Sequence, residues 1–547
     1  MFRSSGLQNF LRYALVLLAM AVSAHALTMT IPFGSHMVLQ RGMKVPVWGK
    51  GSASEAVTVT FNGQSKAATT ASNGTWKVLL DPMVAGGPYT LTAKGSSTVT
   101  FTDVMVGEVW QCAGQSNMDT RMNYSEYPNL ADSITKANYP LLRYVTMRQP
   151  NQTIQWQTVT PTSVGSLSAT GYFFGRNLLD NLKGVAVGLV VTAVGGTTIA
   201  QWMDDESIAA DAGLKADATS GTMYTEWVKP VVGYAIAGTA WYQGENDCSG
   251  GLQAYYAARL PLLLKGWRKQ WGQGDFPFLV AQLAFAHAKQ TAAGGTSNYA
   301  TVRDAQRATV ATSANAWLSV NIDIGSTTTL HYPDKPIAGK RLGMLARGAV
   351  YNESGLTHWQ SPQPVGAWLS GSTARVLFDK TGTGLSTDDG QAPSGFELAG
   401  SDNSWVWGTA TRKGDTIDVS SSSISKPTQI RYAWSDNPIR NLRNSALLPA
   451  TPFYLKLGSA PPASIQAKEP RVQSIGFAGD VVTISVNDGN RQVRLDLADL
   501  DGRILSRSTT TPHEGRAKWN IGNIHGTVLA RVYSDRGEIA SRLLVAP

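Results

Sequence analysis

Cysteine and histidine are scarce in this chain of 547 residues, which contains two cysteines and seven histidines. Two cysteines cannot build the dense disulfide framework of small secreted scaffolds. The histidines are scattered without the spacing of metal ligands, so we expect no metal site and no cofactor. The sequence also has no phosphate-binding loop and no dinucleotide fingerprint, which argues against nucleotide chemistry.

Charged residues are sparse as well, at 16% of the chain, although the formal net charge is +9. Such an excess of positive charge can mark an acidic partner, such as a nucleic acid or an acidic sugar. No long basic run is present, however, so we interpret the charge as a solvated surface and expect no nucleic-acid partner. Beyond the first residues no apolar run is long enough for an integral membrane span.

The first residues have the pattern of an export signal. Arg3 and Arg12 supply positive charge, residues 13–22 form an uncharged apolar run, and Ala24-His25-Ala26 is a small-x-small cleavage pattern. We therefore expect residues 1–26 to be a signal peptide of bacterial type. The mature protein is expected to be secreted, periplasmic or at the cell surface.

The chain is long enough for two to four domains, and its patterning changes along its length. Short β-type runs separated by turns alternate in the middle of the chain with segments of helical period, which predicts a parallel α/β sheet there. The expected organisation is a β domain at 27–103, an α/β domain at 104–358, a β-sandwich at 359–457, a linker at 458–470 and a small β domain at 471–547. In the α/β domain we predict strands over 104–110, 185–194, 234–242 and 276–286, and helices over 171–181, 253–271, 300–312 and 337–350.

The segment Gly114-Gln115-Ser116-Asn117-Met118 follows the first of these strands directly. A serine on a turn between a strand and a helix N-terminus has an exposed hydroxyl, and backbone N–H groups point at whatever binds it. This is how hydrolases present a nucleophile. The alternative is an ordinary turn, because Gly, Ser and Asn are common turn residues.

Three more polar motifs lie downstream in the same region. Gly195-Gly196 and the run Gln243-Gly244-Glu245-Asn246-Asp247 each follow a predicted buried strand, where polar groups are costly unless they are bonded. His331-Tyr332-Pro333-Asp334-Lys335 precedes a predicted helix. Because ligands bind at the carboxyl ends of parallel strands, these motifs are expected to share one crevice.

In their order and spacing the four motifs resemble the SGNH-hydrolase superfamily and, more closely, the sialate O-acetylesterase family of carbohydrate esterases. Similar segments at 37–41, 431–434 and 448–453 extend the resemblance over about residues 30–455. The resemblance implies an α/β fold: an SGNH-type three-layer α/β/α domain with a parallel sheet. We expect β-sandwich domains to flank it and a small C-terminal β domain to follow.

The resemblance also implies roles for individual residues. Ser116 would be the nucleophile that forms an acyl-enzyme, and His331 would take its proton and return it to the leaving group. The backbone N–H of Ser116, the N–H of Gly196 and the side-chain amide of Asn246 would hold the oxyanion. Gly195 is the near alternative to its neighbour in that role.

Two glutamines of the motifs, Gln115 and Gln243, are expected to bind substrate. The acid of the triad is less evident. The family commonly carries an aspartate two or three residues before the catalytic histidine, where this chain has Thr329 and Thr328. We expect Glu245 to orient the histidine; a purely structural carboxylate is the alternative reading of this residue. Other candidates for the role are Asp323, Asp334 or a backbone carbonyl.

The implied activity is removal of O-acetyl groups from carbohydrates, so an acetylated carbohydrate is the expected substrate. An acetylxylan or other plant-polysaccharide acetylesterase is one alternative, and a catalytically weak carbohydrate-binding protein is an alternative of another class. The cysteines, Cys112 and Cys248, are compatible with a disulfide or with two buried thiols. Residues 471–547 resemble terminal β domains of exported enzymes, which implies contact with a cell surface or a secretion system; carbohydrate binding is the competing role.

Overall fold

The computed structural model describes residues 26–147, 154–215 and 217–460, and seven strands beyond residue 460. The described residues fall into two compact units, divided between Leu457 and Gly458. All but the last residue of the expected signal peptide lies outside the described residues. In the parts of the chain that are described, no helix is long and apolar enough to cross a membrane.

A mostly parallel sheet forms the centre of the first unit. Its strand Ala186–Ala193 is buried along its whole length, as expected for an apolar run covered on both faces. The strands lie in the order Ala316–Ser319, Phe278–Ala281, Gly238–Tyr242, Thr98–Gly114, Ala186–Ala193, Tyr139–Thr146 and Gln157–Val159. Only the last pair in this order is antiparallel. A separate parallel pair is formed by Phe285–Ala286 and Gly325–Ser326.

Four long helices connect and cover these strands, at Ala169–Leu182, Gln253–Trp271, Asn298–Thr312 and Lys335–Ala349. Each overlaps one of the predicted helices. The Ser168 and Ser297 side chains cap two of them by accepting backbone N–H groups, and Gly272 ends another in the left-handed conformation. The shorter helical segments are Ser116–Asp119, Pro128–Leu130, Ala131–Thr135, Val164–Ser166, Ile199–Trp202, Asp205–Ala210, Tyr224–Val228, Lys229–Val231 and Asn246–Cys248.

A smaller β region precedes the central sheet and joins it. Its strands are Val38–Gln40, Val45–Lys50, Ala56–Phe61, Gln64–Thr69, Thr75–Leu80 and Gly86–Lys94. The strand Thr98–Gly114 is 17 residues long and pairs with both regions. The domain boundary expected between residues 103 and 104 therefore falls inside one continuous strand, and the two regions share a hydrophobic core.

Residues 363–456 form antiparallel sheets around a second core that contains Phe378, Phe396, Tyr432 and Phe453. Its strands are Gln363–Ser370, Thr373–Asp379, Leu385–Thr387, Phe396–Ala399, Trp405–Trp407, Thr409–Lys413, Thr416–Ser420, Gln429–Tyr432, Leu442–Asn444 and Phe453–Lys456. Together with the central sheet, these regions confirm the coarse fold class, a mixed α/β protein with a mostly parallel sheet and additional β-sheet regions.

The second unit consists of β-strands. They are Val472–Ala478, Val481–Val486, Val493–Ala498, Ile504–Thr510, Arg516–Asn520, Gly526–Ser534 and Gly537–Ala546. They form one three-stranded and one four-stranded sheet, both antiparallel.

Candidate active site

Three neighbouring parallel strands of the central sheet end at the same edge. Gly114 lies level with Ala193 on one side and with Tyr242 on the other. It has a φ of +135°, and a Cβ there would collide with the Tyr242 carbonyl. Glycine is therefore required where the strands converge, because no side chain fits between them. The motifs that follow the three strands meet at this edge.

Ser116 is the first residue of the short helix Ser116–Asp119 and is half-buried. Its N–H has no acceptor among the described residues, whereas the N–H groups of Met118 and Asp119 bond to the Gln115 carbonyl. A Cβ placed on Gly195 would lie 3.4 Å from the Ser116 Cβ, so the two loops touch at the serine.

The candidate oxyanion groups lie on the loops beside Ser116. The Asn246 side-chain nitrogen donates to the Gly196 carbonyl at 2.8 Å, which leaves its second hydrogen unused. In the described part of the chain, the Gly196 N–H has no acceptor. The N–H of Gly195 instead donates to Asp119 Oδ2 at 3.3 Å. This favours Gly196 over its neighbour as the oxyanion donor.

The Asn117 side chain connects three motifs. Its Nδ2 lies 2.5 Å from Glu245 Oε1 and 3.1 Å from the Leu330 carbonyl, and its Oδ1 accepts a hydrogen bond from Lys335 Nζ. The contact to Leu330 holds the residue before His331 against the residue after Ser116. Among the described residues no direct hydrogen bond joins the serine and the histidine; their neighbours are joined instead.

The two ionisable groups bonded to Asn117 are shielded from solvent, which disfavours the charged form of each. Burial lowers the pKa of Lys335 to about 7, although the charge of Glu245 opposes this shift. Burial likewise raises the pKa of Glu245, against the effects of the Asn117 hydrogen bond and the Lys335 charge. The two groups bond to opposite ends of one amide, so the amide separates the buried lysine from the partly buried glutamate.

His331 is half-buried, and its ring contacts Tyr124. Its Nδ1 lies 3.3 Å from the Tyr124 hydroxyl, and the two rings meet edge to face with centroids 5.7 Å apart. Burial lowers the pKa of His331, and the Lys335 charge lowers it further, while Glu126 and Asp119 act in the opposite direction. An imidazole that is neutral at neutral pH can accept a proton from a serine.

Comparison with known proteins supports an esterase site. The family model described as carbohydrate esterase, sialic acid-specific acetylesterase matches residues 106–333. Sialate O-acetylesterase of Homo sapiens is 28% identical over 385 residues, covering 60% of this chain and 72% of that protein. The protein of the same name from Mus musculus is 26% identical over 545 residues, covering 81% and 98%.

A solved carbohydrate acetylesterase from Xanthomonas citri is 31% identical, with a TM-score of 0.71, and the match covers 78% of this chain and 99% of that one. The chain belongs to the sialate O-acetylesterase family of carbohydrate esterases. It is therefore a carboxylic ester hydrolase. The family assignment made from the four sequence motifs is confirmed.

The structure of this esterase does not pair Glu245 with His331. Oε1 of Glu245 bonds to Asn117, and its Oε2 is buried without a partner among the described residues. The alternatives do not pair with the histidine either. Asp323 forms a bidentate ion pair with Arg341, with both distances 2.6 Å, and Asp334 precedes the helix Lys335–Ala349. Glu245 thus bonds to Asn117 rather than to the histidine, and its role as the triad acid stays a prediction.

The two glutamines expected to bind substrate have structural partners in the esterase. Gln243 is completely buried; its nitrogen donates to Gln115, Thr197 and Asp247, and its oxygen accepts from Tyr256. These contacts hold the loops together, and a role of Gln243 in substrate binding stays a prediction. Gln115 uses its oxygen to accept three hydrogen bonds from residues 243–246, so only its nitrogen remains for a ligand.

Three residues of the site had no role assigned from the sequence: Asn117, Lys335 and Tyr124. The first two lie inside the recognised motifs. The amide beside the nucleophile and the lysine four positions after the histidine could therefore have been identified as site residues from the sequence. Tyr124 carries no such signal, because its approach to the histidine depends on the path of a loop.

Both cysteines are buried free thiols. Within the described ranges, no group of three or more His, Cys, Asp or Glu side chains could hold a metal ion.

Proposed function

We propose that this protein is a serine esterase that removes O-acetyl groups from carbohydrates through an acetyl-enzyme. The observation that carries the proposal is the meeting of Ser116, Gly196 and Asn246 at one sheet edge, with the segment before His331 held against them. These are the groups that acyl transfer needs: a nucleophile, a base and donors for an oxyanion.

In the first half of the reaction, Ser116 Oγ attacks the acetyl carbon while His331 Nε2 takes the serine proton. The carbonyl oxygen becomes negatively charged and is held by the N–H groups of Ser116 and Gly196 and by Asn246 Nδ2. When this intermediate collapses, the bond to the sugar oxygen breaks, and His331 gives its proton to that oxygen. The products are a free sugar hydroxyl and acetyl-Ser116.

In the second half, a water molecule attacks the acetyl-serine as His331 removes its proton. The same donors hold the second oxyanion. Its collapse breaks the bond to Ser116 Oγ, which regains a proton from His331, and acetate leaves. We also propose that the α/β region is an SGNH-type three-layer α/β/α domain; the order and spacing of its four motifs support this assignment.

The proposed substrate class is an acetylated carbohydrate. O-acetylated sialic acid is favoured because the matching family model and the named mammalian relatives carry sialate-specific names. Acetylxylan stays the competing substrate, since the bacterial relative of known structure is named only for carbohydrate acetyl esters. Acetate release from the two substrates, measured side by side with one enzyme preparation, decides between them.

Hydrolysis of 4-nitrophenyl acetate by the wild type and by Ser116→Ala tests the enzymatic proposal itself. We expect the variant to lose nearly all activity while it keeps its fold. Equal, near-background rates for both proteins would favour the second candidate, a carbohydrate-binding protein with little catalysis. The observation in favour of that candidate is that no carboxylate bonds directly to His331 among the described residues.

We further propose that the enzyme is exported and that residues 1–26 are removed. The supporting feature is the pattern of charge, apolar run and small-x-small site at the N-terminus. N-terminal sequencing of the protein from the culture medium and periplasm of a bacterial host tests this. A mature chain that begins at Leu27 is expected, and an intact Met1 would overturn the proposal.

For residues 471–547 we keep sorting or surface attachment as the proposal, because the segment lies outside the esterase resemblance. Deletion after residue 457 is expected to leave hydrolysis of 4-nitrophenyl acetate unchanged and to alter where the exported enzyme is found. A deletion that instead weakens binding to an insoluble polysaccharide would favour a carbohydrate-binding role.

A further inference from the structure

The loop that contains Tyr124 and Glu126 packs against His331. The Tyr124 hydroxyl lies 3.3 Å from His331 Nδ1 and also 3.3 Å from Glu126 Oε1. The other carboxylate oxygen, Oε2, accepts a hydrogen bond from Thr329 Oγ1 at 3.1 Å. Thr329 Oγ1 in turn accepts the backbone N–H of His331 at 3.1 Å. Tyr124, Glu126, Thr329 and His331 thus form a closed ring of hydrogen bonds that begins and ends at the histidine.

We propose that Tyr124 and Glu126 together take the place of the missing triad acid. This inference rests on the esterase function proposed above. Thr329 stands at a position where the family commonly has an aspartate, and here that threonine holds a carboxylate from another loop. The carboxylate then reaches the histidine through a tyrosine hydroxyl. Tyr124 and Glu126 are therefore positioning residues that act on His331, which carries the proton.

The hydrogen bonds determine the tautomer that this ring supports. The single Tyr124 proton is donated to Glu126, because an ionised carboxylate can only accept. The tyrosine oxygen can then accept from His331 Nδ1, which must carry a hydrogen. Nε2 is left bare for the Ser116 proton, as general-base catalysis requires.

The surroundings keep this arrangement in place. Tyr124 packs edge to face on the buried Tyr127, with centroids 5.1 Å apart, and Tyr127 donates through its hydroxyl to Thr120. Thr120 bonds to the Ser116 carbonyl at 2.7 Å, so the loop is anchored on the helix of the nucleophile. Hydrogen bonds of 3.3 Å are long, and catalytic contacts commonly tighten when substrate binds.

Charge supports the same role. The groups that act on the His331 ring are Lys335, Glu126, Asp119 and Tyr124. Glu126 raises the pKa of His331 against the effects of burial and of Lys335, so it stabilises the imidazolium that forms during catalysis. Asp119 acts in the same direction, but its Oδ2 accepts the Gly195 N–H on the opposite loop.

The test compares Glu126→Gln and Tyr124→Phe with wild type in steady-state hydrolysis of 4-nitrophenyl acetate over pH 4–9. Asp132→Asn is the matched control, since Asp132 is a nearby exposed carboxylate paired with Lys136. We expect kcat to fall about tenfold or more in both test variants, with KM within twofold. In Glu126→Gln the acidic limb of the kcat/KM profile should move to lower pH, because the histidine loses a stabilising charge. Asp132→Asn should match wild type.

A rescue variant separates positioning from simple structural support. Thr329→Asp in the Glu126→Gln background supplies a carboxylate at the position where the family commonly has one, and it should recover part of kcat. Wild-type kcat and an unmoved acidic limb in Glu126→Gln would overturn the inference. So would a loss of kcat without movement of the limb in a variant whose thermal unfolding is unchanged. If wild-type protein is no faster than Ser116→Ala, the proposed function fails instead.

Discussion

Asn117 Nδ2 lies 2.5 Å from Glu245 Oε1, so the residue after the nucleophile and the glutamate of the third motif share a hydrogen bond. The same amide accepts from Lys335 and holds the Leu330 carbonyl. One side chain thus connects the serine motif, the glutamate motif and the histidine motif. The relative position of nucleophile and base depends on it.

Replacement of this amide is expected to damage both stability and catalysis. Asn117→Ala leaves a buried lysine and a partly buried glutamate without their partner, which should lower the free energy of unfolding by about 2–3 kcal/mol. It should also lower kcat, because the loop before His331 loses its anchor. Urea denaturation and 4-nitrophenyl acetate kinetics measure the two effects.

Asn129→Ala is the matched control for this prediction. Asn129 Nδ2 bonds to the Pro333 carbonyl of the same histidine loop at 3.3 Å, but it is exposed. Its removal should change the free energy of unfolding by less than about 0.5 kcal/mol. Equal stability of the two variants would contradict the central role of Asn117.

Glu245→Gln distinguishes a triad acid from a residue that holds Asn117. Glutamine keeps an acceptor oxygen for the Asn117 amide, so we expect kcat to remain within about tenfold of wild type. Loss of a triad carboxylate typically lowers kcat by about 10⁴-fold. Steady-state kinetics at pH 7.5 distinguish the two roles, and a loss of kcat near the larger value would establish Glu245 as the acid.

Asn246→Ala should remove one oxyanion donor. The expected result is a fall in kcat of about 10²–10³-fold with little change in KM, because the bond strengthens only as charge develops on the substrate oxygen. Ser249→Ala, which removes an exposed hydroxyl bonded to the Asn246 carbonyl, is the control and should stay near wild type. An Asn246→Ala enzyme with wild-type kcat would exclude this side chain from the oxyanion site.

Gly114→Ala tests the close approach of the strand ends. Gly184 also has a positive φ, +82°, but no atom lies within 4 Å of where its Cβ would be. Gly184→Ala should therefore show backbone strain alone, about 1 kcal/mol. Gly114→Ala adds a collision with the Tyr242 carbonyl and should lose about 1–3 kcal/mol more. Urea denaturation compares the two, and equal losses would show that the strands can separate without cost.

Asp247 predicts a pH dependence of stability. Burial raises its pKa to about 6, and its Oδ1 has no partner among the described residues. The folded state therefore binds the proton more tightly than the unfolded state, whose carboxyl titrates near pH 4. Stability from this group is greatest below about pH 4 and is lost as pH rises to about 6. Glu245 has a raised pKa as well and contributes in the same direction.

Asp247→Asn removes one of these two titrations and should flatten the decline. Urea denaturation at pH 4, 5, 6 and 7 measures the free energy of unfolding for both proteins. The slope between pH 4 and pH 6 should be less negative in the variant. Parallel curves would contradict the raised pKa.

Local pattern was enough to predict the central elements. The run Val185 to Val194 predicted a buried strand, and the structure has Ala186–Ala193; the helical stripe over 253–271 matches the helix Gln253–Trp271. Such elements are visible because side-chain period reflects burial directly. The boundary at residue 103 was not visible in the same way, because Thr98–Gly114 continues through both regions without a break in β-type residues.

The sequence by itself determined the family, the order of the motifs and the strand ends that carry them, since these depend on residues close together in the chain. Only the tertiary structure decided which groups touch: Asn117 with Glu245, and Tyr124 with His331. Those contacts join residues more than a hundred positions apart, and their geometry depends on how loops pack. Hydrophobic periodicity specifies which face of an element is buried, but it carries no information about the direction in which a loop side chain points.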